Sequence, residues 1–357
     1  MPNLLKFLIR RLIFALVAFL AITVVLYGVL MLAPVDARAA LYMPRGKENY
    51  NNMNFIKTVI EQHSLDDPFP VQYFRWLVDL VKGDWGWSPG MREDVLPALV
   101  RRAPVTAELL LYSLALYIPL GIVSGALAGW KQGRFADHQF RLAAFIGTSI
   151  PPFVLGLMLL AVFYVGLHWF PPGRLDLAQK FVVDSKDFNN VTGLITIDGL
   201  LNARLDITFN ALRHLVLPVV TLSLAHWATL GRVMRTAMIE ELDKDYVIVA
   251  RGKGLSMRRV VRRHALRNAV VPALNSSALS AASLVTGVFI VEIIFSLKGI
   301  SAPLTTTTQF YAIAMMPDFA ATMGFSVFGV LLVLPLMLIL DLVQALIDPR
   351  IREVILT

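Results

Sequence analysis

The sequence predicts an all-α, polytopic membrane protein with about six transmembrane helices. Three observations lead there. Of 357 residues, 57% are hydrophobic and 16% charged, against roughly 25% charged in ordinary soluble domains. A water-soluble chain of this length cannot cover so much apolar side chain with so few charges, whereas a bilayer requires apolar residues on the faces it touches. Six segments each supply the roughly 20 apolar residues that a span needs, and lysine and arginine crowd into alternate connections between them, the pattern of an oriented membrane protein. The chain has no cysteine, which excludes disulfides, thiolate metal sites and cysteine nucleophiles. Its formal net charge of +8 reads as topology, and no nucleic-acid partner is expected.

Taken in order, the apolar segments are 12–33, 106–130, 142–169, 215–233, 270–297 and 323–347. The first follows Lys6, Arg10 and Arg11 and resembles a signal peptide, but it is longer than a signal core and no small-residue cleavage site follows, so it reads as a retained span. A polar stretch, 34–103, separates it from the second span and holds an amphipathic run, 71–81, with Tyr73, Phe74, Leu77, Leu80 and Val81 on one helical face. A second polar insert, 171–214, carries Asn189, Asn190, Gly193 and Gly199 and reads as loop with short strands. The organisation expected is a first unit over 1–33, a polar segment over 34–103, a five-helix core over 104–352 and a tail over 353–357.

Basic residues set the orientation. Lys131, Arg134 and Arg141 crowd the second–third connection, and Arg235, Lys244, Arg251, Lys253, Arg258, Arg259, Arg262, Arg263 and Arg267 crowd the fourth–fifth. With six spans these fall on one side together with both termini, which are therefore expected in the cytoplasm.

Within the spans, Gly121, Gly125 and Gly129 recur every fourth residue and make a smooth face that lets helices approach closely. Packing within the chain and a subunit interface are both open to it. Pro119, Pro151, Pro152 and Pro218 free backbone groups and bend helices. The fifth span is rich in small polar residues, Asn275, Ser276, Ser277, Ser280, Ser283 and Thr286, a composition suited to lining a pathway or packing centrally. Ionisable candidates in or near spans are Glu108, Glu292, Asp341, His168 and His226. All but His226 lie near helix ends, within reach of water and headgroups. Catalytic motifs are missing: no G-x-x-x-x-G-K-[ST] phosphate loop, no H-E-x-x-H and no G-x-S-x-G. No catalytic residue and no metal site are expected.

The fourth–fifth connection, 236–269, reads as helix, glycine break, helix. Gly252 and Gly254 suit a left-handed C-cap, Ser256 suits an N-cap, and Val260, Val261, Ala265 and Leu266 run beside the arginine cluster. Such an element is too polar to span a membrane and too ordered to be a tether.

At these residues the chain resembles the membrane-spanning subunit of a type I ABC importer. Ala250-x-x-x-Gly254 is similar to the end of that family's E-A-A-x-x-x-G coupling loop. The fuller string Asp245-Tyr246, Ala250-Arg251, Lys253-Gly254-Leu255, Ser256, His264-Ala-Leu-Arg267-Asn268 and Pro272 resembles the dipeptide, oligopeptide and nickel permease branch. The likeness extends through Leu65-Asp-Asp-Pro68, Gln72-Tyr73, Trp76, Gly83-Asp84-x-Gly86-x-Ser88, Ser149-Ile-Pro-Pro-Phe153 and the ending Asp348-Pro-Arg-Ile-Arg352. Ile248 and Val249 replace two residues of the general signature, Ser296-Leu-Lys298-Gly299 departs from the branch's usual run, and the insert 176–213 is longer than usual.

The resemblance implies a non-catalytic permease in the inner membrane of a prokaryote, paired with a second homologous permease and embedded in lipid. It also implies two ATP-binding cassette ATPase subunits, which hold ATP and magnesium, and an external substrate-binding protein. Residues 245–268 are then the docking element for an ATPase, and Asn275, Ser276, Ser280, Ser283 and Glu292 line the pathway. The branch carries di- and oligopeptides, with relatives that carry oligosaccharides or nickel chelates; an ATP-independent channel or secondary transporter also fits the composition but leaves the fourth–fifth connection unexplained. This chain is expected to hold no cofactor of its own.

Overall fold

The computed structural model describes residues 2–42, 53–303 and 318–347. All six apolar segments lie on helices: α1 (Pro2–Leu30), α5 (Val95–Trp130), α6 and α7 (Phe135–Ser149 and Pro152–Leu159), α10 (Leu205–Leu242), α13 (Leu266–Ile294) and α14 (Phe319–Ile347). Among the described residues, Ile9–Leu30, Val95–Trp130, Leu205–Leu242 and Phe319–Ile339 are each long and apolar enough to cross a membrane. The third span departs from the single rod expected over 142–169. Helix α7 runs from Pro152 to Leu159 and continues as a π-helical turn to Gly166, and its axis is bent by 101° from that of α6. Ile150 and Pro151 cause the break. A residue before proline is held extended, as Ile150 is (ψ 120°), and two successive prolines remove the amide donors that would continue α6.

The chain forms two compact units. The first comprises 1–4, 107–297 and 335–357. In it α10 packs along α13, α6 and α7. The glycine stripe of α5 serves packing within the chain. A Cβ on Gly121 would meet Leu230 at 2.9 Å, one on Gly129 would meet the Arg235 carbonyl at 2.7 Å, and one on Gly125 would fall on the Gly231 carbonyl. The stripe is therefore the seat of α10.

The insert 171–214 is helical where short strands were expected. Helices α8 (Leu177–Val183) and α9 (Ile195–Leu201) enclose Val183, Phe188, Ile195, Ile207 and Ala211 in a small core. The turns that read as strand ends in the sequence instead start α9, where Asp198 accepts hydrogen bonds from the Thr192 and Gly193 amides, each 2.8 Å.

The second unit comprises 5–106 and 298–334. Helix α2 (Val35–Arg38), a 3-10 turn (Ala39–Tyr42), α3 (Met53–His63) and α4 (Phe69–Lys82) precede a two-residue antiparallel ladder, β1 (Trp87–Ser88) with β2 (Glu93–Asp94). The buried face of α4 is rotated from the one expected. Gln72, Trp76 and Leu80 point inward, while Phe74 and Val81 are 67% and 79% exposed. Two interactions fix this rotation: Tyr27 of α1 packs against Phe69, Tyr73 and Trp76, and the Gln72 amide donates to the carbonyls of Leu65 and Asp67. Two residues of the resemblance motif in this segment have structural roles at its end. Gly83 takes φ +88° to stop α4, and Ser88 donates to Asp318 at the start of α14. The ending 348–352 and the tail 353–357 lie outside the described residues.

Candidate functional site

The fourth–fifth connection folds as α11 (Asp245–Gly252), a glycine turn, and α12 (Met257–Val260). A π-helical turn, Val261–Ala265, then leads into α13 without leaving helical geometry. Helix α11 stops for a definable reason. Gly254 takes φ +79°, its amide donates to Arg251 O at 2.9 Å, and the Leu255 amide donates to Ala250 O at 3.3 Å. This pair of bonds is the Schellman arrangement, in which a left-handed glycine closes the last turn and the residue after it packs back onto the helix. Leu255 does so, against a cluster of Val247, Ala250 and Val260. The four-residue spacing from Ala250 to Gly254 is thus the spacing of a helix stop, with a small residue at the packed position and glycine at the left-handed one.

Two local expectations are corrected. Gly252 lies inside α11 and is not among the residues with positive φ, so Gly254 alone is the left-handed cap. Ser256 occupies the N-cap position of α12, but its side chain makes no cap bond; its carbonyl accepts the amides of Arg259 and Val260.

The side chains sort by direction. Val247 and Ala250 face inward. Asp245, Arg251, Lys253, Arg267 and Asn268 are exposed and His264 is half-buried. Ile248 and Val249 are 63% and 55% exposed, an apolar pair on a helix of otherwise polar surface. The element is fastened to the end of α10 by Glu241, which accepts from Tyr246 Oη at 2.6 Å and pairs with Lys244. Burial, helped by this bond to a carboxylate, pushes the Tyr246 hydroxyl up to about 12. Asn268 donates to Tyr246 Oη at 3.4 Å, so three chain segments meet here. Sequence reading missed Glu241; its only legible mark was an acidic residue ahead of a basic run.

Asp137 was also missed. It is buried at the start of α6, holds Arg235 of α10 in a two-point ion pair at 2.5 and 2.8 Å, and accepts the Gly133 amide. The pair fixes the second–third connection to α10.

The five pathway candidates on α13 do not share one face. Asn275 and Ser283 are exposed together with Thr286, and Ser276 is half-buried, whereas Ser280 and Glu292 are buried. Ser283 and Thr286 return their hydroxyls to carbonyls one turn back, at 2.8 and 2.7 Å. The exposed face is therefore mixed: Asn275, Ser283 and Thr286 give way to Ile290 and Ile293, 47% and 46% exposed, and its first part suits water or a second protein better than acyl chains.

Glu108 was expected within reach of water. It is 2% exposed and fully engaged. Its carboxylate pairs with Arg174 at 2.7 Å and accepts the Thr196 amide and hydroxyl at 2.8 and 2.7 Å, pinning the insert to α5. His168 and His226 keep separate surroundings: His168 takes φ +59° and gives its carbonyl to Arg213, and His226 lies 5.7 Å from the Tyr117 ring. Among the described residues no group of His, Cys, Asp and Glu is placed to hold a metal ion.

Several helices long and apolar enough to cross a membrane, joined by a structured basic connection, define the class as a polytopic integral membrane protein. Comparison with known proteins places it within that class. Residues 118–353 match the family of binding-protein-dependent transport system inner membrane components, and residues 4–110 match the N-terminal region of the same membrane components. The chain belongs to this family. It is 33% identical to the di/tripeptide transport system permease protein of Pseudomonas aeruginosa (strain UCBPP-PA14), over 98% of this chain and 99% of that one. It is 31% identical to the oligopeptide transport system permease protein of Bacillus subtilis (strain 168), over 97% and 99%. With the probable D,D-dipeptide transport system permease protein of Escherichia coli (strain K12) it shares 36% identity over 83% of this chain and 84% of that one.

Proposed function

We propose that this permease subunit imports di- or oligopeptides, driven by ATP hydrolysed on separate subunits, and that residues 245–268 receive that drive. The observation that carries the reading is the exposed Ile248–Val249 pair on a helix stopped by Gly254, with exposed Arg251 and Lys253 following it in the chain. An apolar centre with a charged rim is the usual anatomy of a protein docking surface. The internal packing of Val247, Ala250, Leu255 and Val260 holds α11 rigid against α12, so a force applied to the outer face passes on to α13. The peptide relatives support the choice of cargo. Both termini are cytoplasmic in this reading, since the basic connections then face the cytoplasm.

The assembly proposed has this chain, a second homologous permease, two ATP-binding cassette ATPases that hold ATP and magnesium, and an external binding protein. The polar part of the exposed α13 face, with Asn275, Ser283 and Thr286, lines the pathway between the two permeases. This chain supplies no catalytic group and no cofactor.

Gly254→Asp tests the coupling role. A Cβ at Gly254 meets nothing within 4 Å, so the variant has room, but it strains the left-handed turn and sets a negative charge on the docking face. Peptide uptake into proteoliposomes of the whole importer is expected to fall on the order of tenfold, with ATPase activity retained and the permease inserted. Unchanged uptake removes Gly254 from the coupling role. Purification of an active assembly without any ATPase subunit overturns the reading as a whole.

A further inference from the structure

On the surface between α6 and α10 lies a recess of about 640 Å³ lined by His138, Arg141, Leu142, Phe145 and Arg232. Positions 138, 141, 142 and 145 lie on one face of α6, since steps of three and four residues return to the same side of a helix. All five side chains are exposed. His138 and Arg141 lie in the first two turns of α6 and Arg232 about three turns before the end of α10, and Leu142 and Phe145 continue from them into the apolar run of α6. The recess is thus cationic at one end and greasy at the other.

Asp137 is the acidic group nearest in sequence; its charge reaches Arg141, but its hydrogen bonds go to Arg235 and the Gly133 amide. Among the described residues neither Arg141 nor Arg232 forms an ion pair or a side-chain hydrogen bond to an acid. Positive charge near a helix end is required by topology alone, but topology does not require two helices to converge their basic groups on one recess with an apolar wall beneath. We propose that this recess binds an acidic phospholipid, its phosphodiester held by Arg141, Arg232 and His138 and its acyl chain laid along Leu142 and Phe145. Charge complementarity selects the anionic headgroup, as in basic pockets between membrane helices generally. The apolar wall selects a lipid over a free anion.

The test is native mass spectrometry of the purified full chain with phosphatidylglycerol and phosphatidylcholine of equal chain length at equal mole ratio. The wild type is expected to retain phosphatidylglycerol preferentially. Each arginine should contribute roughly fivefold, the worth of one basic residue near an anionic lipid surface, so Arg141→Gln with Arg232→Gln brings the two lipids close to parity. Arg258→Gln with Arg259→Gln removes the same charge from the connection and should leave the preference intact. Circular dichroism melting of both double variants confirms that they remain folded. A Leu142→Ser, Phe145→Ser variant, which keeps every charge, should weaken phosphatidylglycerol retention as well. The proposal is overturned by equal retention of the two lipids in the wild type, by an equal loss of preference in the two arginine pairs, or by full competition from inorganic phosphate at the lipid concentration.

Discussion

The insert 171–214 and the connection 236–269 are both polar, both lie between spans and both belong to one compact unit, yet they are held to it in different ways. The insert is tied by acidic side chains: Glu108 of α5 takes Arg174 and Thr196, Asp198 takes Thr192 and Gly193, and Asp176 takes Asn210. Around these ties Lys180, Asp184, Lys186 and Asp187 stay exposed, and Leu177, Phe181 and Val191 are each 70% exposed. The connection is held instead by an apolar cluster, with its arginines and Asp245 outside and Ile248 and Val249 uncovered. Breaking the first kind of tie strands a buried charge; disturbing the second alters the packing between two short helices.

Four measurements can break or sharpen this contrast. The largest effect is expected in the insert. Glu108→Ala leaves Arg174 and Thr196 without their acceptor and should cost about 3 kcal/mol, the usual price of breaking a buried ion pair by removing one partner. A thermal melt of the purified chain reads it, and an unshifted transition shows that the insert is not anchored there. Next is Ala250→Leu, which overpacks the cluster between α11 and α12 and should cost about 2 kcal/mol. The loss should appear as faster hydrogen exchange in 245–260, and unaltered exchange there means that α11 is not held by this cluster.

Tyr246→Phe is smaller, about 1 kcal/mol for a half-exposed hydrogen bond to a carboxylate. Because the folded value of Tyr246 is raised above its unfolded 10.0 to about 12, its contribution is complete below pH 10 and fades as pH rises through the folded value. The difference in stability between wild type and Tyr246→Phe should therefore shrink on going from pH 9 to pH 12; a constant difference contradicts the assignment. The smallest change in stability is expected for Ile248→Ser with Val249→Ser, within about 0.5 kcal/mol for exposed positions. That variant should nonetheless lose ATP-driven uptake. A variant that melts and transports like the wild type leaves the outer face of α11 without a partner.

Legibility in the sequence followed the same contrast. The spans and the helix–glycine–helix form of the fourth–fifth connection could be read because each rests on local chemistry: runs of apolar residues, a glycine at the left-handed stop, a small residue four positions before it. The bend at Ile150–Pro151 was masked by a hydropathy that stays high on both sides, although the proline pair stood in plain view; apolar content carries no direction. The helices of the insert were mistaken for strands since Asn, Gly and Thr punctuate both helix starts and strand ends. The inward face of α4 was misplaced because Gln72, polar by composition, is buried for its two bonds to backbone, which only the fold reveals. The roles of Glu108 and Asp137 depend on partners 66 and 98 residues away, beyond what any local pattern encodes.

The unbroken helical path from Met257 to Ile294 has a mechanical meaning. At about 1.5 Å per residue its 38 residues have a contour of roughly 55 Å, with Pro272 inside it, from the glycine turn at one end to Ile294 at the other. A rod has a fulcrum and a gain. Tilting it by about 10° about its middle swings each end by roughly 5 Å, so a displacement no larger than a side chain at Met257 reappears, reversed in sense, at Glu292. The wide turn at Val261–Ala265 sets where around the helix circumference the α13 face begins, and so which side of the helix would swing under such a tilt.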